Sequence, residues 1–254
     1  MATLRFASLA SGSRGNALLV EAGDTLVMID CGLPRGSLEE RFKAVDRDPR
    51  DVAAVLITHE HGDHAQGVAA FARRYGAPLW TTPGTASAIP KLGERRSLNC
   101  HRPLTIGALT IEPFPVPHDA REPCQFAFTA FGRRLGVLTD TGYVTPAIRE
   151  RLSACDALAV ECNHDLGMLE NGAYPASVKA RVASRYGHLN NAQSAELVGA
   201  VQHAGLQWIV ALHLSERNNS PERVRETLGG VAERLGWALH LACQDAASAW
   251  LDVE

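Results

Sequence analysis

The stretch VLITHEHGDH (Val55–His64) decides the reading of this chain. It opens as a continuous apolar run, the pattern of a strand buried on both faces. It then crowds His59, Glu60, His61, Asp63 and His64 together. A solvated polar loop is one explanation; a cation that gathers the side chains is the other. Residues i and i+2 of an extended turn aim two imidazoles at one point. Asp63 and His64, entering a following helix, point elsewhere, so one short loop can feed two cations. Zn²⁺ takes imidazole nitrogen at ~2.0–2.1 Å and carboxylate oxygen at ~2.0–2.2 Å, and Mn²⁺ or Fe²⁺ tolerates the same ligands.

Further runs repeat the design. LVMID ends in Asp30, VLITH in His59, GVLTD in Asp140, LAVE in Glu161 and IVALH in His213. Layered α/β folds deliver functional groups at the C-terminal edge of their strands. That many charges at one edge without a cation would be costly.

The rest of the chain supplies the frame. TLRFASLA alternates like a strand, and SGSRGN follows as a loop. ALLVEAG and TLVMIDCG read as a hairpin around Gly23-Asp24. SLEERFKAV, with Ser37 and Glu40, reads as a helix opened by a capping box. AQGVAAFARRYG is a helix stopped at Gly76, and APLWTT a short strand. From Gly84 to Pro103 a short helix and then loop are expected. LTIEPFPV, CQFAFTAF and RRLGVLTD are further strands, the prolines placing the first at an edge. Thr145-Pro146 opens one helix, and another ends in VASRYG at Gly187. NAQSAELVGAVQHAG reads as a helix closed by Gly205, and SPERVRETLGGVAERLG as one opened by Ser-Pro. ALHLAC and AWLDV close the chain as strands. A strand-rich first half followed by alternating strands and helices predicts sheets covered by helices, of α/β or α+β type.

The totals bound the function. With 254 residues, one large domain over 1–254 is expected. A net charge of -3 excludes a globally basic nucleic-acid coat, so a polyanion partner would need a local arginine cluster. No apolar run nears the ~20 residues of a membrane span, and the N-terminus lacks a basic region followed by an apolar block. The six cysteines have no CxxC spacing and read as buried reduced thiols, so a cytoplasmic protein is expected.

THEHGDH, with these runs around it, resembles the HxHxDH signature of the metallo-β-lactamase superfamily. The resemblance implies an αββα four-layer sandwich with two divalent metal ions at one edge, Zn or Mn first and Fe as a third choice. Carried over, His59, His61 and His118 would hold the first ion; Asp63, His64 and His213 the second; and Asp140 would bridge them. Asp30 would orient the ligand loop through outer hydrogen bonds. Two branches fit poorly: dizinc β-lactamases carry Cys where Asp140 stands, and flavo-diiron oxidoreductases carry Glu where His61 stands. Glu161, His188 and His213 resemble the acid, His, His order of the nuclease branches, and the gap between Asp140 and Glu161 leaves no room for a β-CASP insertion. SLASGSRGN, DTGY, ECNHD, GHLNN and LHLSERNN resemble the YycJ/WalJ group of bacterial metallohydrolases, with Gly62 and Asn190 where that group is expected to carry serine. This implies a 5'-to-3' exonuclease acting on DNA.

In that reading the catalytic residues are Asp63, Glu161 and His188, with His188, oriented by Glu161, donating a proton to the leaving oxygen. Ser11, Ser13, Asn16, Tyr143, His164, Asn218 and Asn219 are expected at the substrate, aided by Arg14, Arg35, Arg121, Arg133, Arg134 and Arg217 on the metal face. A hydrolase of a small thioester, lactone or cyclic phosphodiester is the alternative, and a metal-binding regulator a third.

Overall fold

Two parallel half-sheets fix where the strand ends fall. The computed structural model describes residues 3–89 and 92–254. Its strands are β1 (Leu4–Ala10), β2 (Ala17–Ala22), β3 (Thr25–Ile29), β4 (Val52–Leu56), β5 (Leu79–Thr81), β6 (Arg95–Ser97), β7 (Leu104–Ile106), β8 (Leu109–Pro115), β9 (Cys124–Ala130), β10 (Arg133–Leu138), β11 (Ala157–Glu161), β12 (Trp208–Leu212), β13 (Ala238–Leu241) and β14 (Leu251–Val253). One sheet runs β14-β1-β2-β3-β4-β5-β6 and the other β13-β12-β11-β10-β9-β8-β7. From β3 to β6 in the first, and from β10 to β13 in the second, neighbours are parallel. Each parallel run collects its C-terminal ends along one edge.

The strands alternate their side chains between two cores. Phe6, Val20, Val27, Ile29 and Leu56 from the first sheet meet Phe126, Phe128, Val137, Ala159 and Val210 from the second. Leu19, Met28 and Val55 point outward against Phe42 and Phe71 on helices Arg35–Ala44 and Val68–Tyr75. On the far side Leu138, Leu158 and Val160 pack under Ile148, Leu152, Leu197 and Val198 of helices Pro146–Leu152 and Asn191–Val201. The order is helices, sheet, sheet, helices: the αββα sandwich. No helix among the described residues is long and apolar enough to cross a membrane. All six cysteines are free thiols, and Cys243 alone is exposed.

Local signals locate most element ends. Ala22 pairs with Thr25 across Gly23-Asp24. Gly76 closes its helix at φ 72°, a left-handed conformation that suits glycine. Thr145 accepts from the Ile148 N–H, and Pro146 occupies the first helical position.

Five expectations need correction. The helix expected to end at Gly187 spans Ala176–Val182. The helix expected to open at Ser37 starts at Arg35 behind Pro34, with no side-chain cap, so Ser37 lies inside it. The helix expected to run to Gly205 ends at Val201; its start carries a capping box between Asn190 and Gln193. In β8 the prolines do not make an edge strand, because β7 lies outside it. β7 covers only Leu109–Ile111, however, which leaves Pro113 and Pro115 free of a ladder on that side. Between Gly84 and Pro103 the chain forms helix Pro83–Ala88 and also strand β6; Pro90 and Lys91 lie outside the described residues.

Candidate metal centre

The C-terminal ends of β3, β4, β10, β11 and β12 meet at one edge of the sandwich. Asp30 and His213 directly follow β3 and β12, and Asp140 lies just past β10. All three turn through left-handed backbone, at φ 59°, 55° and 49°. Asp and His enter this region more readily than bulky residues. Each still costs about 1–3 kcal/mol, which the surrounding structure must offset. The turn takes each side chain off the ladder and into the space between the sheets.

Three histidines are prepared in the same way. Thr58 Oγ1 donates to Asp30 Oδ2 at 2.8 Å, so it can only accept from His59 Nδ1, 2.9 Å away. His64 Nδ1 donates to Asp30 Oδ2 at 2.7 Å. His118 Nδ1 donates to the Gly187 carbonyl at 3.1 Å. Each Nδ1 is held by an outer acceptor, so Nε2 is the atom each ring turns inward for a cation. Ligating histidines are oriented this way by outer partners.

What these nitrogens face completes the case. His59 Nε2 is buried without a hydrogen-bond partner. His118 Nε2 lies 3.2 Å from His61 Nδ1. His64 Nε2 lies 3.1 Å from Asp140 Oδ2, out of hydrogen-bond alignment, and that oxygen is itself buried and partnerless. His59 Nε2 and Asp140 Oδ2 are thus buried without a donor, a cost that a cation between them would remove. His59, His61 and His118 form one group whose ligand atoms lie within 4.8 Å of one another, and Asp63, His64 and His213 form a second. Asp140 joins both neighbourhoods, grouping with His59 and His64 and again with Glu161, His188 and His213. The donor set, imidazoles with carboxylates, fits a divalent transition metal.

Charge follows the same pattern in the metal-free chain. Burial pushes Asp140 up, but His213 and His64 outweigh it and hold the carboxyl well below its ordinary value. Burial pulls His213 down, yet Asp140, Asp63 and Glu161 raise it to about 10. Asp140 and Asp30 likewise lift His64 well above the histidine value despite its burial. For His59, burial and the neighbouring His64 outweigh Asp140 and take it well below.

Glu161 is fully buried and accepts from the Thr141 and Leu189 N–H groups at 3.2 and 3.1 Å. It holds His188 Nδ1 at 2.7 Å and His213 Nδ1 at 3.1 Å. Burial would raise this carboxyl; His188 and His213 bring it down to about 2. Burial lowers His188, but Glu161 and Asp140 outweigh it and raise the imidazole above its ordinary value. His188 lines a cleft of about 240 Å³ with His61, Asp63, Asp140 and His213.

The expected substrate residues divide. Ser13 and Asn218 line the cleft. Tyr143 lies half-buried under Arg185. Ser11, Asn16 and Asn219 spend their polar atoms on the protein. Ser11 Oγ accepts from the His213 N–H at 2.8 Å. The Asn16 amide closes the loop onto Gly12 and stands 3.2 Å from His64 Nε2. Asn219 exchanges two hydrogen bonds with Asn191. His164 is buried with both ring nitrogens unpartnered, and burial lowers it to about 4.

The arginine expectation needs correction. Arg133 and Arg134 begin β10, at the end opposite Asp140, and pair with Asp156 and Glu112. Arg14 pairs with Glu216 and Asp245, and Arg35 with Glu39. Arg121 reaches the site region through its N–H, which donates to Glu60. Arg217 lies over Tyr174, a cleft residue. Tyr174, Arg181, Asn163 and Ser215 also line the cleft. Asn163 and Ser215 fall within the ECNHD and LHLSERNN blocks without being singled out, and Tyr174 and Arg181 carry no sequence signal.

An αββα sandwich with this histidine and carboxylate edge defines a class of metal-dependent hydrolases. The model of the β-lactamase superfamily domain matches residues 25–213, and the chain belongs to that superfamily, the metallo-β-lactamases. It is 35% identical over 242 residues to the exodeoxyribonuclease YycJ of Bacillus anthracis, covering 93% of this chain and 92% of the relative. It is 34% identical to the exodeoxyribonuclease WalJ of Streptococcus pneumoniae, covering 88% and 86%. The metallo-β-lactamase fold protein YhfI of Bacillus subtilis superposes with a TM-score of 0.72 at 15% identity, over 97% of this chain and 99% of that one.

Proposed function

We propose that the chain is a two-metal phosphodiesterase that removes nucleotides from the 5' end of DNA. The observation that carries the reading is Asp140: a buried carboxylate with one orphaned oxygen, shared between two clusters of inward-facing imidazoles. His59, His61 and His118 would hold one ion and Asp63, His64 and His213 the other, with Asp140 between them. The exodeoxyribonuclease relatives support DNA as the substrate. When bound, such a pair would supply positive charge against phosphate oxygens and lower the pKa of water to about 7.

The chain's own groups do the rest. Asp30 and Thr58 hold the ligand loop in register. Glu161 fixes the His188 ring by Nδ1, so its Nε2 carries the proton offered to the cleft. As water attacks phosphorus and the P–O3' bond breaks, that proton passes to the leaving 3'-oxygen. The next nucleotide keeps the 5'-phosphate. Glu161 stabilises charged His188 beforehand, and water restores the proton after each turnover.

The test is digestion of 3'-labelled DNA with Mn²⁺ or Zn²⁺ supplied. Progressive shortening of the labelled strand, abolished by Asp140→Ala, is the expected result. A fully metallated protein silent on DNA, but active on a small ester, would overturn the reading.

A further inference from the structure

The wall of the cleft carries one charged group that the chemistry above does not use. Arg181 lies in the last turn of helix Ala176–Val182. It is the one arginine or lysine among the described residues lining the cleft, where it stands with His61, Asp63, His188 and His213. Its Nη1 donates to Asp119 Oδ2 at 3.0 Å, the one hydrogen bond of the guanidinium among the described residues. A guanidinium carries five N–H donors in a fixed fork, so most of them stay available to the cleft.

Backbone bonds fix this group against the site. The Asp119 N–H donates to the Tyr186 carbonyl at 3.0 Å, and the His188 N–H to the Val182 carbonyl at 2.9 Å. A Cβ on Gly187 would stand 2.1 Å from the Val182 carbonyl oxygen, so the helix end and the turn into His188 lie in direct contact. Arg181 and the proton donor therefore share one piece of backbone, and Asp119, beside the ligand His118, is tied to it. Stability does not account for the Arg181–Asp119 pair. The two side chains are 59% and 32% exposed, and an exposed ion pair adds little.

A guanidinium held on one side by a carboxylate presents its remaining donors in a plane, an arrangement suited to phosphate oxygens. The phosphate being cleaved lies against the ligand groups and His188. A wall arginine meets the neighbouring phosphate, whose charge is the same before and after the bond breaks. Such a contact holds substrate and transition state alike, so it acts on KM rather than kcat. At a 5' end the linkage cleaved is the first, and the neighbour is the second. A backbone contact reads no base and is the same for every sequence.

We infer that Arg181 binds the strand phosphate next to the one being cleaved, with Asp119 holding the guanidinium in place. The inference rests on the phosphodiesterase reading above.

The test uses the metal-loaded full chain and 3'-labelled DNA over roughly 50–200 mM salt. Arg181→Ala should raise KM about tenfold, with kcat and metal content kept. The fall of log kcat/KM with log salt should become shallower by about one. Arg181→Lys keeps the charge and should restore that slope. Arg149→Ala removes an exposed arginine that pairs with Glu196; it controls for the loss of one positive charge and should change nothing. An uncharged methylphosphonate at the second linkage from the 5' end should raise wild-type KM in the first cleavage as Arg181→Ala does, and cost that variant nothing further. An unchanged KM in Arg181→Ala would overturn the inference, as would full, additive losses from the variant and the methylphosphonate. So would loss of metal in Arg181→Ala, which would make the ion pair a brace for His118. If wild type degrades no DNA at all, the phosphodiesterase reading itself fails first, and the inference with it.

Discussion

His188 is the residue whose role separates chemistry from metal binding. Glu161 holds its Nδ1 at 2.7 Å, and the ring lines the cleft. His188→Ala should therefore lower kcat by roughly 10²–10⁴-fold, the range for a general acid, with both ions kept. Elemental analysis beside steady-state kinetics checks this; loss of metal along with activity would make His188 a ligand. A second prediction concerns protons. His213, raised to about 10, and His64, also raised, are charged in the metal-free chain at neutral pH. Charged His213 stabilises the metal-free fold fully below about pH 6.5, and that contribution fades as the pH rises toward 10. A cation accepts only the unprotonated ring, so metal uptake at pH 8 should expel about two protons. Titration in two buffers of different ionisation enthalpy measures the number; none would contradict the charge pattern. The histidines and aspartates at strand ends were legible because type and position coincide. Ser11, Asn16 and Asn219 were harder: a Gly/Ser/Asn loop reads alike whether it faces a ligand or its own backbone. Tyr174 and Arg181 were invisible because folding alone brings them to the cleft.

At the scale of elements, backbone contacts between loops matter more than any one strand. The Asn16 N–H donates to the Asp63 carbonyl at 2.8 Å, the Gly32 N–H to the Asn16 carbonyl at 2.9 Å, and the Cys31 N–H to the His64 carbonyl at 2.8 Å. This stitch ties the loops after β1 and β3 to the ligand loop after β4. Gly32 sits at its centre, where an added Cβ would lie 1.7 Å from the Asp63 carbonyl oxygen. Gly32→Ala must push the two loops apart, and should lower Tm by roughly 5–10 °C together with metal content. Calorimetry and elemental analysis read both; unchanged values would show that the loops move independently. Capping chemistry made several helix starts legible, as at Thr145 and Asn190. It failed at Ser37, where Pro34 had already set the start, and at Gly205, where the turn had begun four residues earlier.

For the molecule as a whole, the sandwich holds the two ligand groups together. β3 and β4 carry Asp30 and the His59–His64 loop; β10, β11 and β12 carry Asp140, Glu161 and His213 in the facing sheet. The core of Phe126, Phe128, Val27 and Val210 sets the distance between the sheets, so the site exists only where both are in place. Continuous apolar runs announced buried strands, but no single run shows that the two parallel halves end at the same edge. The motif resemblance supplied that relation, and the strand order explains it. The most direct measurement is metal stoichiometry by titration of the chelator-stripped protein, followed by elemental analysis. Two divalent ions per chain in wild type, and at most one in Asp140→Ala, is the predicted result. A well-folded wild-type chain that takes up one ion or none would contradict the paired centre.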